Sequence, residues 1–371
     1  MGALTEREAW IALAHCVEPG DESMGQLVGR LGPVAAVGEI AVGSARVRHA
    51  EGLAARLAAF DQDVAEARAA SCGSRIVTRL DREWPSQLDA LGGRAPMALW
   101  VCGAADLRLL ALRSVAVVGA RACTPYGEEI ARNWAADLAA ERWCVISGAA
   151  FGIDAAAHRG ALAGRGTTIA VVAGGVDVAY PTAHASLLAR IADEGLVVSE
   201  TPPGESVRRQ RFLTRNRLIA GLGRATLVVE AAVRSGTTAT ARAAWALNRP
   251  VLAVPGPVTS AASAGCHRMI RDGEAMLVAD MADLLGLLDL DRVGLPATVV
   301  APAERSTVLD RLTGRERSLL DSLPARGSVT FDDVIRASGL AGPDVLAGLG
   351  LLAARGLVTE ASGGWRLVTP R

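Results

Sequence analysis

The sequence predicts a doubly wound α/β domain with a parallel sheet, and two observations support this prediction. Seven short runs between residues 114 and 279 are apolar along almost their whole length. Segments of helical length, with an apolar repeat of about 3.6 residues, separate these runs. Strands that are apolar throughout need cover on both faces, which crossover helices between parallel strands provide. The runs are SVAVVG (114–119), CVISG (144–148), TIAVVAGG (168–175), LVVSE (196–200), ATLVVEA (225–231), VLAVP (251–255) and AMLVA (275–279).

The segments on either side of this core predict two smaller domains. Residues 1–74 have a helical pattern with glycine breaks, which indicates a SAM or helix-hairpin-helix-like domain; a helical cap packed on the core explains the pattern equally well. Residues 75–290 form the core, and we expect its first part, 75–103, to be an irregular lead-in to the sheet. A linker that contains Pro and Ala, residues 291–308, separates the core from residues 309–371.

The C-terminal segment, residues 309–371, has the pattern of three helices followed by a β-hairpin, which is typical of a winged helix. Many winged helices contact DNA with the third helix. Here that helix, Pro343–Ala354, contains Asp344 and no basic residue. Because phosphate attraction dominates the affinity for nucleic acids, we expect this domain to bind a protein or to regulate access to the core.

The composition excludes several kinds of chemistry. All 39 basic residues are arginine, and the formal net charge is zero. Without lysine, neither a Walker-type phosphate loop nor Schiff-base catalysis is available. The sequence has no apolar run of about eighteen residues and no signal-peptide pattern, and its six cysteines and five histidines form no metal-like cluster. We therefore expect a reduced, cytoplasmic protein with no membrane anchor, no metal and no cofactor.

Positive charge is concentrated in one short window, residues 206–224. The window, SVRRQRFLTRNRLIAGLGR, holds six arginines, one phenylalanine and no acidic residue. Guanidinium groups beside an aromatic ring suit single-stranded nucleic acid, because phosphates pair with the charges and an unpaired base stacks on the ring. The alternative is a solvated helix face, although such a face normally carries acidic partners one turn away. The arginines are Arg208, Arg209, Arg211, Arg215, Arg217 and Arg224, and the ring is that of Phe212.

Glycine-containing turns follow several of the predicted strands. Doubly wound sheets bind ligands beyond the carboxyl ends of the strands, where helix N-termini face outward. None of the turns has the GxGxxG dinucleotide pattern, so together with the arginine window they predict a groove with several phosphate sites and not a pocket for one nucleotide. The residues concerned are Gly119 and Arg121 after the first run, Ser147, Gly148 and Gly152 after the second, and Arg234, Ser235, Gly236 and Thr237 after the fifth.

Support for catalysis is weaker. Ser147, Asp154 and His158 are the residue types of a hydrolytic triad, but no GxSxG elbow is present, and helix capping or ordinary pairing explains the spacing of the last two. Glu200 and Glu230 end apolar runs, where we expect them to bond helix N-termini or nearby arginines. The sequence therefore predicts no catalytic residue.

Eight segments follow one another in an order that is typical of a known family. They are VAVVGAR, SGAAFGIDAAAHRGAL, TIAVVAGGVDVAYP, SETPPG, RFLTRNRLIAGL, VVEAAVRSGTTATAR, VLAVPG and GCHRMIRDG. They resemble the DNA-processing protein A family (DprA, also called Smf), and the match extends over residues 75–285. The resemblance implies a non-catalytic, extended Rossmann-like fold that binds single-stranded DNA in a basic groove. It also implies a homodimer that helps to load the recombinase RecA during natural transformation or recombination.

The resemblance also implies roles for particular residues. Gly119 and Arg121 match a phosphate-contacting turn, and Phe212 matches an aromatic residue that contacts a base. Two departures from the family pattern are Ala120 in place of serine and Phe151 in place of a basic residue, where the ring either offers a second stacking surface or leaves a phosphate without a cation. The matching lip of the groove contains Arg211, Arg215, Asn216 and Arg217, and its second turn contains Ser235, Gly236 and Thr237. The implied dimer or RecA-facing surface contains His267, Met269, Ile270, Met276 and Leu277.

The alternative from a different functional class is an enzyme. Rossmann-like nucleoside-monophosphate phosphoribohydrolases of the LOG type carry a PGGxGTxxE signature. The corresponding segment here is RSGTTATAR, in which Ala239 and Thr240 stand in place of the acidic pair. The glycine turn is retained and the catalytic carboxylates are not, which favours binding over catalysis.

Overall fold

The computed structural model describes residues 4–47, 50–233, 235–289, 312–324, 327–361 and 363–368. The chain divides into two units, residues 1–295 and 296–371, and each has its own hydrophobic core. The linker that we predicted at residues 291–308 lies outside the described residues.

A nine-stranded sheet organises the first unit. Its strands are β1 (Ser74–Thr78), β2 (Ala98–Cys102), β3 (Ser114–Val118), β4 (Cys144–Ser147), β5 (Thr168–Val171), β6 (Leu196–Ser199), β7 (Ala225–Val228), β8 (Val251–Ala253) and β9 (Met276–Leu277). The order across the sheet is β1-β2-β6-β5-β4-β3-β7-β8-β9. The seven strands from β3 to β9 are the seven predicted runs, and their pairings with one another are all parallel. The predicted doubly wound, Rossmann-like sheet is therefore confirmed.

Two strands that the sequence did not predict extend this sheet at one edge. β1 pairs antiparallel with β2, and β2 pairs antiparallel with β6, with Trp100 opposite Ser199. The prediction of an irregular lead-in over residues 75–103 is thus wrong for these two strands. The reason is that these two strands join the sheet through antiparallel pairing and are not part of the alternation of strands and crossover helices by which the other seven were recognised.

Five helices precede the sheet, and the first and the fifth of them pack on β1. Thr5, Asp21 and Asp61 cap three of them through side-chain oxygens, as short polar residues at N-cap positions commonly do. Their apolar faces share one core with Ile76 of β1 and Trp100 of β2. The helices are α1 (Glu6–Cys16), α2 (Glu22–Leu31), α3 (Pro33–Ala41), α4 (Ala50–Ala58) and α5 (Gln62–Ser71).

The remaining helices of this unit cover both faces of the sheet. Along β3, Val115 and Val117 belong to one buried core, and Ala116 and Val118 belong to another, because side chains alternate between the faces of a strand. The helices are α6 (Leu107–Leu112), α7 (Pro125–Ala140), α8 (Ile153–Ala163), α9 (Ala185–Glu194), α10 (Arg209–Leu222), α11 (Thr237–Ala246), α12 (Ala264–Arg271) and α13 (Met281–Asp289), with two 3-10 segments at Ser86–Arg94 and Thr182–His184.

The second unit contains three helices and an antiparallel hairpin, in the predicted order. Its core includes Leu319, Val334, Leu349 and Val358. The third helix carries Asp344 in its first turn and no basic residue. The elements are α14 (Gly314–Asp321), α15 (Phe331–Ser338), α16 (Gly342–Ala354), β10 (Val358–Ala361) and β11 (Gly364–Leu367). The assignment of this unit as a winged helix stays a prediction.

We also searched the described ranges for membrane-spanning helices and metal-binding clusters. No single helix there is long and apolar enough to cross a membrane, although α15 and α16, bent by 106° to each other, meet the length and hydropathy criteria as a pair. The same ranges hold no group of three or more potential metal ligands. All six cysteines are free thiols.

Candidate nucleic-acid interface

A groove of about 450 Å³ opens at the carboxyl ends of β3 and β7. The chain order of the strands reverses at this point, and such a switch point is where doubly wound sheets bind ligands. The turn after β3, the start of α8, one face of α10 and the segment that leads into α11 line the groove. The structure thus brings together residues that lie far apart in the sequence. Its lining includes Gly119, Arg121, Asp154, Phe212, Arg215, Asn216, Ser235, Gly236 and Thr237.

The turn after β3 is held in place by Glu230, which is fully buried. Its carboxylate accepts hydrogen bonds from the Thr124 amide at 2.9 Å and from the Thr124 hydroxyl at 2.5 Å. Because Thr124 is also the N-cap of α7, one carboxylate fixes both the start of this helix and the turn that carries Arg121. The expectation that Glu230 bonds a helix N-terminus is confirmed.

Glycines allow the start of α8 to approach this turn closely. Gly152 has a φ of +75°, and a Cβ atom there would lie 2.3 Å from the Ala120 carbonyl oxygen. The Ile153 amide donates to that same oxygen at 3.2 Å. The backbone at Gly152 therefore lies in close contact with the turn that follows β3.

Arg121 and Phe212 meet at the groove. The Arg121 guanidinium lies over the Phe212 ring, with the Cζ atom 5.1 Å from the ring centroid. Arg121 is exposed and Phe212 is half-buried. A cation over an aromatic face is a favourable contact, and it leaves the exposed guanidinium accessible to an anion in the groove.

Arg215 is the buried cation of the groove. Its Nη1 atom donates to the carbonyl oxygen of Gly148 at 2.8 Å and also to that of Val171, so it ties together the ends of β4 and β5. Burial lowers the pKa of Arg215 to about 10, which still leaves it protonated at neutral pH. Asp154, whose carboxylate accepts the Gly148 amide at 3.2 Å, favours the charged form of Arg215. Arg215 therefore acts as a structural cross-link as well as a source of positive charge.

The structure does not place Arg211 and Arg217 on the lip of the groove. Arg217 is 2% exposed, and its Nη2 atom lies 2.7 Å from both carboxylate oxygens of Glu200. Arg211 is also buried and contacts Glu18 at 3.1 Å and Glu205 at 3.2 Å. The window itself holds no acidic residue, but the fold supplies three from outside it. The expectation that Glu200 answers a nearby arginine is confirmed.

Arg208 and Arg209 are the exposed arginines at the start of α10. Arg209, the first helical residue, precedes Phe212 by three positions and so shares a side of the helix with it, whereas Arg208 is the extended N-cap residue. Arg208 pairs with Glu18 at 3.1 Å. Asn216 donates to the Gly236 carbonyl oxygen at 3.4 Å and so connects α10 with the start of α11.

The second turn of the groove precedes α11. Thr237 begins this helix, and the buried hydroxyl of Ser235 has no hydrogen-bond partner among the residues that the structure describes. A buried hydroxyl favours a partner, which an anion in the groove offers. Arg234, which we predicted in this turn, lies outside the described residues.

The three residue types of a hydrolytic triad, at Ser147, Asp154 and His158, are all buried. Ser147 is fully buried and donates to the Val117 carbonyl oxygen at 2.6 Å, so it does not reach the groove as a ligand contact. Nδ1 of His158 lies 2.7 Å from the Thr168 hydroxyl, and burial lowers the pKa of His158 to about 3. Gly148 packs against Arg215, where a Cβ atom would lie 2.2 Å from the guanidinium. These three residues support the fold.

The implied partner surface is only partly exposed. Met276 and Leu277 are exposed and form the edge strand β9. His267 and Ile270 are half-buried. Met269 is 1% exposed and belongs to the core, so it does not take part in a surface contact in this structure.

Sequence reasoning missed two residues beside the groove. Glu18, in the connection between α1 and α2, pairs with Arg208 and Arg211. Tyr180 contacts Phe212, with the ring centroids 5.3 Å apart. Nothing near Glu18 in the sequence signals its partners, whereas the aromatic residue in the segment VDVAYP was a signal for Tyr180 that we did not use.

The fold and the groove define a Rossmann-like α/β protein with a groove at the switch point of its sheet. A family model described as DNA recombination-mediator protein A matches residues 75–289. A Mycobacterium tuberculosis relative that carries the DprA name is 42% identical over 375 residues, which cover 97% of this chain and 94% of the relative. The chain therefore belongs to the DprA/Smf family of DNA recombination-mediator proteins.

Two solved structures are similar to this chain. DNA processing protein A from Streptococcus pneumoniae has a TM-score of 0.66 and 33% identity, and the match covers 76% of this chain and 97% of that one. A structure that concerns the single-stranded DNA binding mode of DNA processing protein A from Helicobacter pylori has a TM-score of 0.53 and 26% identity. That match covers 59% of this chain and 98% of the other.

We predict that Arg217→Ala destabilises the first unit strongly, because it leaves Glu200 buried without its partner. Removing one member of a buried pair costs about 3–5 kcal/mol. The double variant Arg217→Met with Glu200→Leu should be closer to the wild type in stability, since no unpaired charge remains. Urea unfolding followed by circular dichroism measures both.

The matched control is Arg190→Ala, which breaks an exposed pair with Glu194. This variant should unfold like the wild type, because exposed ion pairs contribute little. Equal unfolding midpoints for Arg217→Ala and Arg190→Ala would contradict the structural role of the Arg217–Glu200 pair.

Proposed function

We propose that this protein binds single-stranded DNA in the groove and acts as a recombination mediator that protects incoming DNA and loads RecA. The observation that carries the proposal is the guanidinium of Arg121 over the ring of Phe212 at a groove on the sheet's switch point. Phosphates pair with exposed guanidinium groups, and an unpaired base stacks on an aromatic ring. The same site thus combines the two contacts that single strands require.

The surroundings of the groove fit a phosphate chain. Arg208 and Arg209 are exposed one helical turn before Phe212, so positive charge continues beyond the groove. The N-terminus of α11 lies in the wall at Thr237, and helix N-termini attract anions. A duplex keeps its bases stacked inside, so it uses the charges but not the ring.

Relatives support the proposal. The similar structure from Helicobacter pylori concerns binding of single-stranded DNA, and the family is named for recombination mediation. On this basis the chain acts as a homodimer and delivers the bound strand to RecA. The exposed edge strand β9, with Met276 and Leu277, is the part of the predicted partner surface that is available for such a contact.

The proposed role is binding without catalysis, and the LOG-type enzyme is not favoured. Ala239 and Thr240 stand where that signature has carboxylates. The carboxylate that lines the groove, Asp154, accepts the backbone amides of Gly148 and Ala150, and burial raises its pKa. Release of free base from nucleoside monophosphates at a useful rate would favour the enzyme instead.

We predict that the protein prefers a single strand to a duplex and that Arg121 and Phe212 contribute differently. Arg121→Ala should flatten the slope of log K against log salt by about 0.7 for each phosphate that the variant no longer binds. Phe212→Ala should weaken binding with little change of slope, because stacking releases no counterions. Fluorescent oligo-dT, challenged with a duplex of equal length across a salt series, measures both effects.

The control for these variants is Arg190→Ala, which removes an exposed arginine on α9. It should bind oligo-dT like the wild type. Equal affinity of the wild type for single strand and duplex, or losses in Phe212→Ala that are the same for both, would contradict the proposed stacking.

We predict that Glu18→Gln tightens binding of single-stranded DNA. Glu18 contacts Arg208 and Arg211, and their guanidinium groups lower the pKa of Glu18 although burial acts in the other direction. Without this charge, the exposed Arg208 keeps only its longer contact with Glu205, at 3.8 Å, and can turn to a phosphate, so the salt slope should steepen by about 0.7. Glu194→Gln is the control. If Glu18→Gln binds oligo-dT with the same affinity as this control, Arg208 makes no phosphate contact.

A further inference from the structure

An exposed tyrosine extends the aromatic surface of the groove. The ring of Tyr180 lies 5.3 Å from that of Phe212, centroid to centroid, with an angle of 55° between the planes. Tyr180 is 49% exposed, although it carries a large hydrophobic ring. It lies outside the groove lining, in the segment between β5 and α9. Arg121 and Tyr180 therefore both contact the ring of Phe212, which lines the groove.

The segment that carries Tyr180 is anchored on both sides of the ring. Before the ring, it is bonded to the residues that follow β6, and after the ring it is bonded to the turn that follows β4. A ring held in this way loses little freedom when a ligand binds, which favours affinity. The bonds are Ser199 Oγ to Gly174 O at 2.7 Å, Gly175 N to Glu205 O at 3.0 Å, Gly204 N to Asp177 Oδ1 at 2.8 Å, and His184 Nδ1 with Ala149 O at 2.9 Å.

Phe212 by itself offers a limited stacking surface. Arg121 and Tyr180 both contact its ring, and the side chain is half-buried. The more accessible ring of the contacting pair is that of Tyr180. Phe151, for which the sequence left open a stacking surface or a lost phosphate contact, is 50% exposed and packs edge-on against His184, with the ring centroids 4.8 Å apart.

We propose that Tyr180 is a second base-stacking platform, which holds the base next to the one at Phe212. Its ligand is an unpaired nucleobase of any type, because every base has an aromatic face. The proposal rests on the proposed function, since it concerns the same strand after it leaves the groove. It assigns to Tyr180 a direct contact with DNA and not merely support of the Phe212 ring.

The test is a double-mutant cycle with Tyr180→Ala, Phe212→Ala and the double variant in the full-length chain. Each variant is titrated with oligo-dT and with an oligonucleotide of equal length whose central positions are abasic. Tyr180→Ala should weaken binding of oligo-dT about tenfold, in the range known for loss of one stacked base. A loss of similar size should persist in the Phe212→Ala background, and the abasic oligonucleotide should show little loss.

Two controls separate stacking from altered folding. Tyr180→Phe keeps the ring and should bind oligo-dT like the wild type. Trp245→Ala removes another exposed aromatic side chain, 60% exposed on α11 and outside the groove lining, and should also bind like the wild type. Thermal unfolding of each variant checks that the fold is retained.

The outcomes distinguish this inference from the proposed function. If the wild type fails to bind oligo-dT at all, both are overturned. If the wild type binds and Tyr180→Ala binds equally well, only the platform is overturned. A loss that disappears in the Phe212→Ala background, or that is equal for the abasic oligonucleotide, would show that Tyr180 merely supports Phe212 and would likewise overturn it.

Discussion

The buried guanidinium of Arg215 is the contact on which the arrangement of the groove depends. A buried cation needs hydrogen-bond acceptors and a nearby negative charge. The carbonyl oxygens of Gly148 and Val171 and the carboxylate of Asp154 meet this need. Because these acceptors belong to the ends of β4 and β5 and the start of α8, they fix the position of α10. The same face of this helix, three residues earlier, presents Phe212 to the groove.

The arginines of α10 therefore have two different uses. Arg211, Arg215 and Arg217 are buried and engaged with carboxylates or carbonyl oxygens. Arg208 and Arg209 are exposed. Much of the positive charge in this window is thus neutralised inside the fold, so the field at the groove is weaker than six arginines suggest. Discrimination between single strand and duplex then rests on the aromatic rings more than on charge.

Hydrogen bonds within the chain hold two of the segments that line the groove. Glu230 fixes the turn that carries Arg121, and Asn216 connects α10 with the start of α11. The loss of such a hydrogen bond would change the groove even where the lost group does not itself contact DNA. The glycines that follow β4 also maintain this arrangement. A side chain at Gly148 would collide with Arg215, and one at Gly152 would collide with the backbone of Ala120.

The sequence by itself determined the seven parallel strands, the switch-point turns at Gly119 and Ser235, and the aromatic residue Phe212, because apolar periodicity and turn chemistry are local properties of the chain. Only the tertiary structure decided which arginines are exposed. The partner of Arg211 is Glu18, 193 residues away, and no local pattern encodes such a pairing. The antiparallel strands β1 and β2 and the contact of Tyr180 with Phe212 depend in the same way on residues brought together by folding.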